Sequence, residues 1–271
     1  MLYQLNHSVC VSVFLASFPA YTLAVSDSFL AADADGAIFL VDAESYQSTQ
    51  ISQAAETFSF SEIEYTGNST ILYNSGVNII HRDLISGQET NLYSTRTGFE
   101  TGFFRSGGLA LAADGDFLYN VIRFNANADI ESHLVRVDSE TQTATSVQMA
   151  PWIDPFDLHF INDNLILGAL YQTDELVLID ATTGAFQSRF STNVGITSIF
   201  SVSDTLFGLG LYGDVFSIDL ESQSLTLTGR LSQGGYFIGA SGIPSGEIAI
   251  PSPTTTSIAG LCVLARCRRR R

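Results

Sequence analysis

The chain has 271 residues, of which 45% are hydrophobic and 15% charged, and its formal net charge is −16. This length and apolar content suit one large all-β domain, while the acidic charge repels phosphate groups and argues against nucleic acid as a partner. The three cysteines are Cys10, Cys262 and Cys267. Because residues 11–261 contain no cysteine, this long segment has neither a disulfide framework nor a cysteine zinc site.

The N-terminal segment Met1–Ala24 has the pattern of a secretory signal peptide. An apolar run over 9–20 is followed by Thr22-Leu23-Ala24, which places small residues at positions −3 and −1 of a cleavage site. The first eight residues contain no Lys or Arg, and a buried first strand is the alternative. We expect a signal helix within 1–24 and a mature protein that begins near Val25.

The body of the chain repeats one short pattern, an apolar strand that ends in Asp and is followed by a polar turn. The five copies are IFLVDAESYQ (38–47), IIHRDLISGQ (79–88), LVRVDSETQT (134–143), LVLIDATTGA (176–185) and VFSIDLESQS (215–224). Their aspartates are Asp42, Asp83, Asp138, Asp180 and Asp219, with spacings of 41, 55, 42 and 39 residues. A period in this range is typical of solenoids and propellers.

Each copy also fits into a four-stranded unit. Along the chain, an apolar strand comes first and is followed by a tight turn, such as Asp35-Gly36 or Gly213-Asp214, and then by the repeat. A further strand follows the repeat. The sequence therefore predicts an all-β, five-bladed β-propeller of four-stranded antiparallel blades over 25–250. We expect YFIGASGI (236–243) to close the ring as the first strand of the opening blade, and each repeat aspartate to cap its own turn.

Motifs that carry chemistry are weak in this body. Asp33-Ala34-Asp35-Gly36 lacks the spacing of a calcium loop and fits a hairpin turn, and the three histidines of the body have no metal-ligand spacing. Asp154 and Asp157 could form a carboxylate pair for glycoside hydrolysis, but such pairs are common in an acidic chain. We therefore expect no cofactor, no metal and no catalytic site.

Departures from the repeat indicate where a ligand could bind. Irregular segments at 94–108, 125–132 and 149–157 fall between blades or within a hairpin, and a blade's strand order would send all three to one face. Neutral insertions are the alternative. The predicted ligand-binding residues on this rim are Arg96, Arg105, Asn125, Asn127, Trp152 and Asp154, with Trp152 as a stacking platform and Arg105 as a charged donor.

The C-terminal segment 251–271 departs from the composition of the rest. Pro251-Ser252-Pro253 is followed by a Thr/Ser spacer, by the apolar stretch 258–265 and by five arginines, Arg266, Arg268, Arg269, Arg270 and Arg271. Thr254–Ala265 would span about 18 Å as a helix against a hydrocarbon core of about 30 Å, which allows only a transient membrane anchor. The arginines would stay on the cytoplasmic side of the membrane, and an accidental basic tail is the alternative.

This layout resembles the PEP-CTERM sorting domain of Gram-negative bacteria, with Ser252 where that family usually has Glu. The resemblance implies two partners, a secretion machinery and an exosortase-type transpeptidase that cuts near Pro251, Ser252 and Pro253. The last four arginines, Arg268, Arg269, Arg270 and Arg271, complete the implied sorting motif. The resemblance also implies delivery to the cell surface or the extracellular matrix.

Together with the repeat, the resemblance predicts a sorted propeller that binds matrix polysaccharide or protein without catalysis. The alternative is an extracellular enzyme of the glycosidase or metal-dependent lactonase type. Clustered carboxylates at the central channel would favour this alternative.

Overall fold

The computed structural model describes residues 27–53, 62–96, 103–124, 130–150, 153–244 and 247, with the backbone alone at 103–106 and 124. In chain order the strands are β1 Ser28–Asp33, β2 Ala37–Asp42, β3 Ser48–Gln53, β4 Ile63–Gly67, β5 Thr70–Ser75, β6 Asn78–Asp83, β7 Glu89–Ser94, β8 Phe103–Leu111, β9 Phe117–Phe124, β10 Ile130–Val137, β11 Ala144–Met149, β12 Asp157–Asn162, β13 Leu165–Leu170, β14 Glu175–Asp180, β15 Phe186–Ser191, β16 Ile196–Val202, β17 Thr205–Gly210, β18 Asp214–Asp219, β19 Ser224–Arg230 and β20 Phe237–Ile243. The helical structure in these ranges is one 3-10 turn, Tyr171–Thr173, and none of it is long and apolar enough to cross a membrane.

The strands form five antiparallel sheets of four strands each, which confirms the predicted five-bladed propeller. From the inside outwards, the sheets are β20-β1-β2-β3, β4-β5-β6-β7, β8-β9-β10-β11, β12-β13-β14-β15 and β16-β17-β18-β19, called blades 1 to 5 below. The first strands of the blades, β20, β4, β8, β12 and β16, contact one another around the central channel.

The strand order gives the ring two different faces. Connections between blades and turns between second and third strands leave from one face, called the upper face here. Turns between first and second strands and between third and fourth strands leave from the opposite, lower face. Each first strand therefore begins at the upper face and ends at the lower face.

The ring is closed by pairing between the two ends of the described chain. β20 pairs with β1 in antiparallel register, with Ser28 opposite Ile243 and Leu30 opposite Ser241. Blade 1 thus takes its inner strand from the C-terminal side of the chain and its other three strands from the N-terminal side, as the sequence predicts. Both ends of the ring's chain lie at the lower face.

The hydrophobic core consists of one apolar cluster at each junction between neighbouring blades. Alternate side chains of a strand point to opposite faces of its sheet, so one strand serves two junctions. In β5, Ile71 and Tyr73 pack towards blade 1, whereas Leu72 packs towards blade 3. The central strands of each blade are therefore apolar on both faces of the sheet. Burial of the clusters at the junctions stabilises the ring.

The residue before the repeat aspartate is apolar in four of the five repeats, and in the second repeat it is Arg82. Arg82 is buried like its apolar counterparts, with 4% of its surface exposed. Its guanidinium forms an ion pair with Glu89 on the neighbouring strand β7. It also donates to Ser52 Oγ at 2.9 Å and to the Gln53 carbonyl at 2.6 Å, both on β3 of blade 1. The arginine thus joins blades 1 and 2 where the other repeats use an aliphatic side chain.

Two of the predicted segments lie outside the described residues. The signal peptide over 1–24 and the sorting tail over 251–271 fall in ranges that the structure does not describe. All seven residues of the predicted sorting motif belong to the second range: Pro251, Ser252, Pro253, Arg268, Arg269, Arg270 and Arg271. The signal peptide and the sorting motif therefore stay predictions.

Candidate functional site

Three carboxyl groups cluster beside the central channel. Glu62 immediately precedes β4, Glu64 is the second residue of β4, and Asp157 is the first residue of β12, so the cluster joins the inner strands of blades 2 and 4. Glu62 and Asp157 are 1% and 0% exposed, whereas Glu64 retains partial access to solvent. Carboxyl groups are rarely buried so completely without a partner that compensates for lost hydration.

Asp157 is held by two backbone donors. The amide of Leu158 donates to Oδ1 at 2.5 Å, and the amide of Ile199, on β16, donates to Oδ2. The bond from Ile199 ties the inner strand of blade 4 to that of blade 5. They also fix the carboxyl group in place, so that it cannot turn away from Glu62.

The two carboxyl oxygens of Glu62 have different environments. Its Oε1 atom lies 2.8 Å from the Ser198 hydroxyl and accepts the Ala240 amide at 3.2 Å, which links it to blades 5 and 1. Its Oε2 atom is buried without a donor from any residue that the structure describes. The neighbouring acidic group is Asp157, which repels the ionised form of Glu62 and can bond to it only when one of the two is protonated. A hydrogen bond between two carboxyl groups requires a proton on one of them.

Burial raises the pKa of all three carboxyl groups. For Glu62, burial is the largest cause of a pKa far above 4.5, and repulsion from Asp157 adds to it. Burial also raises the pKa of Asp157 to about 8, although hydrogen bonds from Glu62 and from the Ile199 and Leu158 amides oppose the increase. The pKa of Glu64 is raised by burial and by Asp157, against hydrogen bonds from Ser241 and Leu111. The cluster therefore holds protons at neutral pH, since like charges in a dry site cannot all ionise.

The inner strands around this cluster pack at close range. A Cβ atom added at Gly108 of β8 would lie 2.7 Å from the Asp157 backbone, and one at Gly242 of β20 would lie 1.7 Å from the Ser201 carbonyl oxygen. Glycine is therefore required where these strands meet. The same region holds His159, whose ring nitrogen lies 2.8 Å from Ser201 Oγ and whose pKa burial lowers to about 4.

Below this cluster, at the lower face, the channel opens into a cavity of about 860 Å³. Its lining includes the ends of β4, β8 and β12 together with Arg136, Asp163 and Glu247. Arg136 forms ion pairs with Asp114 at 2.7 Å and Asp116 at 2.9 Å across the same rim. The charged part of its lining is mainly acidic, with Asp114, Asp163 and Glu247, and its arginine is ion-paired.

No metal centre is formed within the described ranges. None of their His, Cys, Asp and Glu side chains come together in threes with an arrangement that could hold an ion. Asp154 and Asp157, considered above as a pair, have different partners: Asn120 donates to Asp154 Oδ1 at 3.2 Å, while Asp157 contacts Leu158 and Ile199.

The six residues of the predicted rim have different positions. Arg96 follows β7 and Asp154 precedes β12, so both belong to connections between blades and lie towards the upper face. Arg105 lies within β8, opposite Ile122 of β9, and is therefore part of an inner strand and not of the connection that precedes it. Asn125, Asn127 and Trp152 lie outside the described residues.

The upper face also carries an exposed aromatic pair that the sequence did not single out. Tyr212 lies in the turn between β17 and β18, and Tyr236 precedes β20. The two rings lie 5.6 Å apart at an angle of 52°, yet the residues are 60% and 59% exposed. The pair marks the junction of blades 5 and 1.

The five repeat aspartates share one turn geometry on the lower face. In each copy Oδ1 accepts a backbone amide three residues ahead, as in Asp83 to Ser86 and Asp138 to Thr141, both at 2.7 Å. The other three bonds are Asp42 to Ser45 at 2.7 Å, Asp180 to Thr183 at 2.8 Å and Asp219 to Ser222 at 3.0 Å. These bonds lower the pKa of Asp83, Asp138, Asp180 and Asp219. The aspartates thus act in the turns and lie away from the channel cluster.

Comparison with known proteins adds the fold but no family. No family model and no curated protein matches the chain. Among solved structures, one from a nidogen/laminin complex is 10% identical, covers 80% of this chain and 98% of its own, and superimposes with a TM-score of 0.54. A protein of unknown function from Bacteroides caccae is 12% identical over 81% of this chain and 100% of its own, with a TM-score of 0.50. At these identities the similarity shows a shared propeller fold.

Proposed function

We propose that this chain is a secreted or cell-surface β-propeller that binds matrix polysaccharide or protein through its upper face. The observation that supports this is topological: the strand order sends the connections at 54–62, 95–102, 125–129 and 150–156 to one face. Loops at one end of a rigid scaffold are the usual place for binding residues. One of the similar folds comes from a protein–protein complex, which is compatible with a binding role.

Within this proposal, Trp152 is the anchor and Arg96 and Asp154 are polar neighbours. Asn125 and Asn127 belong to the adjacent connection of blade 3. Because an indole offers a large apolar surface with a polar edge, Trp152 suits a sugar ring or an apolar side chain. The −16 net charge of the chain favours a neutral or basic ligand over an anionic one.

Retention in the matrix tests this proposal. We expect Trp152→Ala to reduce the fraction of protein retained in the extracellular matrix by about tenfold, without a change in the unfolding midpoint. Leu227→Ala is the control, because Leu227 is 60% exposed on the outer strand β19, away from the upper face. Equal retention of both variants and the unaltered protein would remove the upper face as the binding surface. A fall in the unfolding midpoint of the Trp152 variant would instead assign the indole to the core.

We further propose that an exosortase-type system delivers the protein to the surface of a Gram-negative bacterium. The support is the order of segments in the sequence: a signal peptide, Pro251-Ser252-Pro253, an apolar stretch and the four terminal arginines Arg268, Arg269, Arg270 and Arg271. The intact mass of surface-released protein should correspond to a chain that starts near Val25 and lacks these arginines. A released species that retains them would contradict sorting at this motif.

The carboxyl cluster supports a second candidate, an extracellular glycosidase, since paired carboxyl groups with raised pKa values can serve as general acids. The burial of Glu62 and Asp157 weighs against it, because a substrate must reach the group that protonates it. Hydrolysis of a panel of aryl glycosides by the unaltered protein, abolished in Glu62→Gln, would establish the enzyme. Absence of turnover across the panel agrees with the binding proposal.

A further inference from the structure

The aromatic pair of the upper face differs from the exposed apolar residues elsewhere on the molecule. Ile85, Phe186 and Leu227 are single exposed side chains on turns and outer strands, which is common in soluble proteins. Tyr212 and Tyr236 instead contact each other and still leave more than half of each residue open to solvent. Adjoining exposed apolar groups, unlike isolated ones, are a feature of interaction sites.

Backbone hydrogen bonds hold both tyrosines in fixed positions. The Tyr236 carbonyl accepts the Ala34 amide at 2.8 Å, and the amide of the next residue, Phe237, donates to the Leu211 carbonyl at 2.8 Å. Tyr212 sits between Leu211 and Gly213, whose amide bonds the Gly210 carbonyl at 2.9 Å. The backbone of both tyrosines is therefore fixed before a ligand binds, which reduces the conformational entropy lost on binding.

The surroundings of the rings are open and polar. An added Cβ at Gly234 would meet nothing within 4 Å, and one at Gly235 would lie 3.9 Å from Asp33 Oδ2. Asp35 belongs to the turn between β1 and β2, and the amide of its neighbour Ala34 bonds the Tyr236 carbonyl. Small residues beside the rings leave room for a bulky ligand, and the carboxylate oxygens can accept hydrogen bonds from hydroxyl groups.

The charges of this region select among ligands. Arg230, at the end of β19, forms an ion pair with Asp214 at 2.9 Å, so its charge is balanced. Asp33 and Asp35 place part of the chain's −16 net charge beside the tyrosines. An anionic polymer would be repelled, whereas a neutral sugar can stack its C–H face on an aromatic ring and donate its hydroxyls to the carboxylates.

We propose that Tyr212 and Tyr236, flanked by Asp33 and Asp35, form a binding subsite for a neutral polysaccharide at the junction of blades 5 and 1. This inference rests on the proposed ligand binding by the upper face, and it names the substrate class and a part of that face other than the Trp152 loop. The sugar rings stack on the two tyrosines, and the chain of the polymer follows the open surface over Gly234 and Gly235.

Affinity electrophoresis of the full-length chain tests the subsite, in gels that contain hydroxyethylcellulose, dextran or galactomannan, and in gels with anionic alginate. We expect retardation by at least one neutral polymer and none by alginate. The double variant Tyr212→Ala/Tyr236→Ala should bind that polymer roughly tenfold or more weakly, since aromatic anchors dominate such contacts. Leu227→Ala is the matched control at equal exposure and should bind like the unaltered protein.

The outcomes separate this inference from the function on which it rests. Retardation of the double variant equal to that of the unaltered protein would overturn the subsite while binding by the upper face stands. Retardation by alginate alone, or binding of a matrix protein without any neutral polymer, would overturn the choice of ligand. A double variant that loses retardation and keeps its unfolding midpoint supports the subsite, because both rings are exposed and contribute little to the core.

Discussion

At the scale of single residues, the contact between Glu62 and Asp157 makes the stability of the ring depend on pH. In the unfolded chain these carboxyl groups have pKa values near 4.5 and 3.8, whereas burial raises the pKa of Asp157 to about 8 and that of Glu62 well above its ordinary value. The folded protein therefore binds more protons than the unfolded chain between these limits. Stability is fully present below the unfolded pKa values and is lost as the pH rises towards 8.

We expect the free energy of unfolding to fall by about 3–5 kcal/mol between pH 4.5 and pH 8.5, as one pKa unit corresponds to about 1.4 kcal/mol. Urea titrations across this range measure it. Glu62→Gln supplies a neutral hydrogen-bonding group of the same shape and should make this fall smaller, because it removes one of the buried groups that titrate. Glu221→Gln, on a turn of the lower face, should leave the slope unchanged. A flat profile in the unaltered protein would contradict a shared proton.

The sequence could not identify this cluster, for a reason that is visible in β4. Glu62 and Glu64 alternate with Ile63 and Tyr65, and such alternation normally indicates a strand with one face in water. Their burial comes from the inner strands of four other blades, which are distant in the chain. Along the chain Asp157 is close to Asp154, so the sequence suggests that these two residues form a pair. The proximity of Asp157 to Glu62 arises only in the folded structure.

At the scale of strands and turns, the repeat aspartates explain why the blades can be counted from the sequence. Each turn satisfies its own backbone amides within a few residues, so its pattern does not depend on tertiary contacts. The start of β8 could not be predicted from the sequence, because its local pattern does not resemble a strand. Its register shifts between Ser106 and Leu109, around two glycines that weaken a strand pattern, and the segment with Arg105 therefore resembles a loop.

Arg82 gives a prediction at this scale, because it bonds two strands of neighbouring blades. Arg82→Met keeps an unbranched apolar side chain but leaves Glu89, Ser52 and the Gln53 carbonyl without their donor. We expect a loss of about 3 kcal/mol in the free energy of unfolding, the range found when one partner of a buried ion pair is removed. Chemical denaturation measures it.

Arg189→Met is the matched control for Arg82→Met. Arg189 pairs with Glu175 across β15 and β14, but its side chain is 52% exposed. Solvent screens such a pair, so its loss should change the free energy of unfolding much less than the loss of Arg82 does. Equal effects of the two substitutions would show that Arg82 is not a structural link between blades.

At the scale of the whole molecule, the ring depends on a strand from each end of the chain. β20 supplies the inner strand of blade 1, and it also provides the Ala240 amide to Glu62 and the Ser241 hydroxyl to Glu64 at 3.0 Å. Closure therefore completes the carboxyl cluster as well as the sheet. The channel cluster and the ring form together.

The last prediction follows from this closure. A chain that ends at Tyr236 lacks β20 and leaves an unpaired edge on β1, apolar clusters open at two junctions, and Glu62 and Glu64 without the donors that β20 supplies. We expect it to lose cooperative unfolding and to expose apolar surface, measured by calorimetry and by binding of a hydrophobic dye. A chain that ends at Glu247 keeps every described strand and should unfold like the full chain, because the ring is closed before that residue. If the chain that ends at Tyr236 unfolded cooperatively with an unchanged midpoint, β20 would not be what closes the propeller.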